Sequence, residues 1–217
     1  MKAYKHYYKC RDVNKILDSI NDMLLPKGMY ITCHGRNHAM FVVDKTEYIL
    51  KSLAYDSRTV ELGKIAALLH DIGNIAGRWN HAQKSAALAT VLLEYPVHFL
   101  PDEKKLIIQA IEDHSKGNKI ASAVGAALLI ADKIDISKRR LISNKVINKQ
   151  HKYHLDIKDV GIHVANKVIT INITINEAVL KDLLIQEKRG FIIAMKAAVY
   201  LGCTCQFQIN GRNENFF

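Results

Sequence analysis

Ten histidines are spread over the 217 residues of this chain, and several stand where an apolar segment ends or is interrupted. His70 and Asp71 are adjacent in ALLHDIGN, at the end of a helical run. The rotation of about 100° per residue still lets two unlike side chains converge on one ion just beyond a helix terminus. Imidazole and carboxylate together suit iron, manganese, zinc or a similar divalent ion, and a carboxylate can bridge two of them. An isolated His-Asp pair also has a plainer reading, a polar last turn in which the histidine meets the helix dipole. Its company weighs against that. His38 lies in CHGRNHAMFVV, His81 opens HAQKSAALA, His114 sits in IQAIEDHSKG and Asp132 in ALLIADKID. A carboxylate set among Leu128, Leu129, Ile130 and Ile134 must be paired or metal-bound, because burying it alone costs too much.

Helices must position these groups. Apolar residues recur at helical spacing over 12–25, ending at the Pro26-Lys27-Gly28 breaker, and further helices are expected over 36–54 and 58–70. Asn80 is a candidate cap for a helix that ends before Pro96, and Pro101-Asp102-Glu103 opens a fifth helix with acids at its positive end. Residues 122–135, SAVGAALLIADKID, are small and apolar enough to form the most buried helix. After about residue 150 the texture changes. β-branched residues alternate with polar ones over 153–175, with a tight turn at Ala165-Asn166-Lys167. An apolar-periodic helix follows, with a bend expected at Gly190, and CTCQFQI reads as a last strand. The expected class is α+β, mainly α: an N-terminal helix (1–29), a helical bundle domain (30–150) and a small β-β-α-β subdomain (151–217), joined by the basic stretch 137–152.

The order His38, His70-Asp71, Asp132, with ALLHDIGN and LLIADKID around the last two, resembles the HD-domain superfamily of metal-dependent phosphohydrolases over residues 30–140. HAQKSAALA and IEDHSKG look like the two extra histidine motifs of members that hold a second metal, as in bacterial HD-domain hydrolases of diadenosine tetraphosphate. The resemblance implies that His38, His70, Asp71 and Asp132 hold a first metal. Asp71 would bridge to a second, held also by His81 and His114, so that one or two divalent ions such as iron or manganese are expected. Two cations about 3.5 to 4 Å apart lower the pKa of water and neutralise phosphoryl charge, so no separate protein nucleophile is required. Asp71 is then the central catalytic residue, and Asp113, beside His114, is a candidate base or supporting group.

The chain departs from the related two-metal enzymes at Asn74, where they carry a lysine three positions after the Asp. Asn74 itself and the nearby cations Arg36, Arg78 and Lys133 are the candidates to bind substrate phosphate, by bidentate guanidinium contact or as point charges. The C-terminal β-rich part has no counterpart in the compact helical hydrolases.

Composition narrows the partners. A net charge of +10 favours anions such as nucleotides, other phosphorylated small molecules or RNA. No apolar run approaches the roughly 20 residues that span a bilayer, and the N-terminus lacks the apolar core of a signal peptide, so a cytoplasmic protein without a membrane partner is expected. Cys10, Cys33, Cys203 and Cys205 are too few and too uneven for a disulfide framework and read as free thiols. His151, His154 and His163 lack acidic partners at ligand spacing, and Lys138-Arg139-Arg140 reads as a solvated basic run. Tyr4, Tyr7 and Tyr8 read as a loose terminus or an oligomer contact, so a homo-oligomer stays open. The expected function is hydrolysis of a phosphate ester or anhydride in a nucleotide-like substrate. The alternative is a regulatory or RNA-binding module whose metal site is structural. Di-iron oxygenase chemistry has no positive sign in the sequence.

Overall fold

The computed structural model describes residues 2–24, 32–94, 99–117, 119–141 and 153–216. Helices α1 (Lys2–Lys9), α2 (Arg11–Leu24), α3 (Arg36–Ser52), α4 (Ser57–Leu69), α5 (His81–Leu92), α6 (Pro101–Asp113) and α7 (Ala123–Lys133) come first. A single turn, α8 (Tyr153–Asp156), leads into strands β1 (Ile157–Ala165) and β2 (Val168–Ile175). The long helix α9 (Leu180–Tyr200) follows, then β3 (Thr204–Ile209) and β4 (Arg212–Glu214). The protein is mainly helical with a small four-stranded sheet near its C-terminus, the α+β class expected.

Helix α7 organises the bundle. Every residue from Val124 to Asp132 is buried, as a helix that is apolar on all sides requires. Its start is fixed by Ser122, whose hydroxyl accepts from the Gly125 N–H at 3.0 Å. Helices α3, α4, α6 and α9 pack around it. Asp56 caps α4 by accepting from the backbone of Arg58 and Thr59, and Glu103 accepts from the Leu100 N–H at the start of α6. Arg58 then ties the two helices together, donating to both oxygens of Glu103 at 2.6 and 2.7 Å.

The sheet runs β1-β2-β3-β4, with β2 and β3 parallel and the outer pairs antiparallel. The expected turn between β1 and β2 is present, with Asn166 and Lys167 both at positive φ, the backbone that matches strand twist. Parallel β2 and β3 require a crossover, and α9 supplies it. Phe191 of α9 packs on Phe207 and Phe216, with ring centroids 4.4 and 5.1 Å away.

Several expectations are corrected. The terminal tyrosines are not loose: α1 packs on the bundle, Tyr7 is buried against Phe99, and the Tyr4 N–H donates to Glu61. Asn80 makes no capping hydrogen bond and stands at positive φ. Residues 153–156 are helical, so β1 begins at Ile157, and β4 was not anticipated. Helix α9 runs unbroken through Gly190, where a Cβ would approach Lys133 of α7 to 3.8 Å. The breaker Pro26-Lys27-Gly28, Pro96, and most of the basic stretch with His151 lie outside the described residues. Among the described residues no cysteine is in a disulfide and no helix is long and apolar enough to cross a membrane.

After the His-Asp pair the chain makes a 3₁₀ turn, Ile72–Ala76, that lies directly on α5. Gly73 makes this approach feasible: a Cβ there would stand 2.3 Å from the Ser85 nitrogen and 2.5 Å from the His81 oxygen, both backbone atoms. Gly73→Ala is therefore expected to push α5 and His81 away from Asp71 and to cost about 3 kcal/mol. Denaturant unfolding measures the loss; an unchanged midpoint would show that α5 is not fixed by this contact.

Candidate metal centre

Three of the histidines are aimed by one local device. His70 and His114 each follow the last residue of a helix, and each ring donates from Nδ1 to the carbonyl three residues back, Ala67 at 2.7 Å and Ile111 at 2.6 Å. Those carbonyls are among the ones a helix terminus leaves without an intrahelical partner. His81, at the start of α5, does the same with the Arg78 carbonyl at 3.2 Å. A carbonyl can only accept, so Nδ1 carries the proton and Nε2 of each neutral ring presents a bare lone pair. His38, in the first turn of α3, donates from Nδ1 to Asp135 Oδ2 at 2.8 Å. All four Nε2 atoms face inward.

There they crowd together. His38 Nε2 and His70 Nε2 are 3.1 Å apart, and His81 Nε2 and His114 Nε2 are 3.2 Å apart. Two lone pairs cannot face each other at that distance without a cation, a proton or a metal ion, between them. Asp71 separates the two pairs. Its Oδ2 lies 3.6 Å from both His38 Nε2 and His70 Nε2, while its Oδ1 lies 3.5 Å from both His81 Nε2 and His114 Nε2. Asp132 Oδ1 closes the first group at 3.2 Å from His38 and 3.9 Å from His70. Ligands each about 2.1 Å from one ion stand about 3.0 to 3.5 Å apart, so the spacing fits. Asp71 Oδ1 is buried and has no hydrogen-bond partner among the described residues, an orphan that a cation would satisfy. The residues present therefore fit a metal ion, with Asp71 turned toward two groups of ligands.

Burial sets the charge states. It pushes His70 down to about 3 and His81 down to about 4, because the imidazolium would lose its hydration. Burial would raise Asp71 and Asp132, but His70 and His34 around the first, and Lys133 and His38 around the second, more than offset it. Both carboxyls are held well below the usual carboxylate range. His38 moves the other way: the carboxylates of Asp132 and Asp135 outweigh its burial and raise it.

These shifts make the stability of the metal-free protein depend on pH. Above about pH 6.5, where a free histidine is neutral, His70 and His81 carry no penalty. As pH falls from there toward 4 the unfolded chain gains protons that the folded chain refuses, so stability falls. His38 opposes this, since a raised pKa adds stability in acid that is lost as pH rises. His34, buried beside Asp71, is lowered as well, so with three groups against one chelator-treated protein is expected to be at least about 1 kcal/mol less stable at pH 5 than at pH 7. Equal urea midpoints at the two values would show that the rings are protonated in the fold.

Asp71, His81, His114 and Asp132 of the centre line a cleft of about 240 Å³. Arg78, Lys133 and Arg140 line it, as do Tyr153, His154 and Glu187 from beyond the bundle. Arg78 stands 3.6 Å from Asp71 Oδ1, and Lys133 Nζ is 2.7 Å from Asp132 Oδ2. Arg140 Nη1 is buried without a hydrogen-bond partner among the described residues. Glu187, on α9, accepts from the Tyr153 hydroxyl at 2.5 Å, so the C-terminal part contributes a wall of the cleft.

The structure brings His38, His70, Asp71, His81, His114 and Asp132 together, with Arg78 and Lys133 beside them. It does not bring Arg36 or Asp113. Arg36 is held by Asp18 and Asn14 of α2, at 2.6 Å each, and Asp113 accepts from Gln109 one turn back on α6. Asn74 is wholly buried rather than facing substrate: its amide donates to the Asp71 carbonyl at 2.9 Å, and its oxygen accepts from Arg78 at 3.2 Å. It positions the cation that flanks the centre.

Sequence reasoning missed His34, Asp135, Tyr153 and Glu187, and Arg140, expected on a solvated basic run, is instead largely withdrawn from solvent and lines the cleft. His34 donates to Asp71 Oδ2 at 2.7 Å and accepts from Thr32 at 3.2 Å, which fixes the bridging carboxylate. Burial lowers it well below its ordinary value and keeps it neutral. A second acid three residues after Asp132 was the available signal for Asp135. His154 is a cleft-wall residue whose Nδ1 donates to the Ile136 carbonyl; His163 is exposed on β1. No protein-family model matches the chain, and no curated protein matches it. The geometry by itself establishes a mainly helical protein with a buried His/Asp cluster able to hold metal.

Proposed function

We propose that this chain is a metal-dependent phosphohydrolase of the HD-domain type, cleaving a phosphate ester or anhydride in a phosphorylated small molecule such as a nucleotide. The observation that carries the reading is Asp71: its two oxygens face two separate sets of inward imidazole nitrogens, and one of those oxygens is an orphan. His38, His70, Asp71 and Asp132 would hold one ion, and Asp71, His81 and His114 a second. Bound there, iron, manganese or a similar divalent ion supplies the Lewis acidity that acidifies water and neutralises phosphoryl charge.

The chain's own side chains do the rest. Arg78, Lys133 and Arg140 present three cations to the cleft that holds the cluster, and a phosphate entering it meets positive charge on several sides. Arg140 Nη1 is buried with no hydrogen-bond partner among the described residues and only a long ion pair, 3.9 Å, to Asp135, so its donors are open to a phosphate. His34 and Asn74 act indirectly, the first by fixing the Asp71 carboxylate and the second by holding Arg78. Metal analysis of the purified protein combined with turnover of phosphomonoesters, phosphodiesters and dinucleoside polyphosphates tests the reading. One or two ions per chain with release of phosphate or nucleotide is expected.

A second reading, an RNA-binding module with a structural metal, is favoured by one feature. Lys116, Lys188, Arg189 and Lys196 line a separate hollow of about 430 Å³, and among the described residues none of them meets a carboxylate. A stoichiometric metal without turnover of any phosphate ester, alongside salt-sensitive RNA binding, would select it.

A further inference from the structure

Trp79 is the only tryptophan in the chain and is 81% exposed, the most exposed large hydrophobic residue described. A lone exposed aromatic is ordinary by itself, but an indole offers a broad flat face to a planar ligand, and its place in the chain gives that face a use. Among the described residues its indole makes no ring contact and no cation contact. Its neighbours in the chain say where it stands: Arg78 and His81 both line the cleft, so Trp79 and Asn80 occupy the rim between them.

That rim is held firmly. The Gly77 N–H donates to the Asn74 carbonyl at 2.9 Å, the His81 N–H donates to the Arg78 carbonyl at 3.2 Å, and Lys84 reaches back to the carbonyls of Ala76 and Gly77 at 2.8 and 3.3 Å. Gly77 and Asn80, on either side of Arg78 and Trp79, take positive φ, so the chain turns tightly at both ends of this pair. The segment thus points a guanidinium into the cleft and an indole out of it. An exposed indole on a loop whose backbone is braced is a surface on which a flat ring can stack.

We propose that Trp79 is the stacking platform for the aromatic base of the substrate, so that a nucleotide binds with its phosphate in the cleft and its base on the rim. This rests on the phosphohydrolase reading for the reaction, but not for the binding. Trp79 selects the base side of the ligand, whereas Arg78, one residue earlier, faces the phosphate side.

The lone tryptophan is also the probe. The metal-loaded protein is titrated with methylene-phosphonate analogues of adenosine 5′-monophosphate and of ribose 5-phosphate, in which a P–C bond replaces the scissile P–O bond. Quenching of tryptophan fluorescence by the adenosine analogue is expected, with a dissociation constant at least about tenfold below that of the ribose analogue. By calorimetry, Trp79→Ala should collapse that discrimination and Trp79→Phe should keep part of it. Equal binding of the two analogues, or discrimination that survives in Trp79→Ala, overturns the platform. So does a Trp79→Ala variant that changes the oligomeric mass while its discrimination stays intact, since the indole would then cover a second copy. Ester hydrolysis without preference for nucleotides sinks the platform alone, and nucleotide-dependent quenching without hydrolysis sinks the hydrolase reading alone.

Discussion

Asp71→Ala is expected to strip both halves of the centre together. Oδ2 serves the His38 and His70 side and Oδ1 the His81 and His114 side, so one truncation removes a ligand from each. Bound metal should fall well below one ion per chain, and phosphate ester turnover by about a thousandfold or more, the several kcal/mol that metal ions contribute to charge stabilisation. His81→Ala provides the contrast, because it touches only the second group. It should leave about one ion in place, held by His38, His70, Asp71 and Asp132, with partial loss of turnover. The variant must be shown to fold, since Asp71→Ala leaves the buried His34 N–H without its acceptor at a cost of about 1 to 3 kcal/mol. A folded Asp71→Ala protein with full metal content and full activity would remove the centre from the mechanism.

The residues that met in the structure were legible for different reasons. His70, His114 and Asp132 stand out because a polar group ends an apolar helix, and the period of the helix says which way the core lies. His34 was not legible. It sits just before α3, where no helical period applies, and its partnership with Asp71 spans 37 positions of chain. Arg36 shows the opposite case, in which nearness to a motif in sequence is not nearness to the site in space. Two residues of helix turn a side chain through about 200°, so Arg36 faces α2 when His38 faces the centre. Asp113 fails similarly: one residue before His114, it stacks along α6 on Gln109 instead of entering the cleft.

The C-terminal part was legible as strands and a helix, because β-branched alternation and apolar period are local signals. Its contribution to the cleft was not. Glu187 is one of several charged residues on α9, and only the packing of α9 along α7 places it beside Lys133 and Tyr153. Asn74 gained a different role for the same reason. Its position suggested a lost phosphate ligand, whereas its burial and its bonds to Asp71 and Arg78 make it a brace. The cation expected at that place enters the cleft four residues later, on Arg78.

Metal should also be a large part of the stability of the fold. The inward nitrogens and the orphaned Asp71 oxygen are arranged at a cost that only a cation relieves, and the unfolded chain has no such arrangement. An ion that binds only the folded state at a concentration of about a thousand dissociation constants stabilises it by about 4 kcal/mol. For a chain of this length each kcal/mol raises Tm by about 2 to 4 °C. Restoring manganese or iron to chelator-stripped protein at pH 7 is therefore expected to raise Tm by about 8 to 16 °C for the first ion. The increment should shrink at pH 5, where protons compete for the same Nε2 lone pairs. His81→Ala should keep the first increment and lose any second one, while Asp71→Ala should lose both. A melting temperature that ignores every divalent ion offered, in a protein shown to be metal-free, would mean that protons alone fill the gaps between the paired histidines and that the cluster is a polar core.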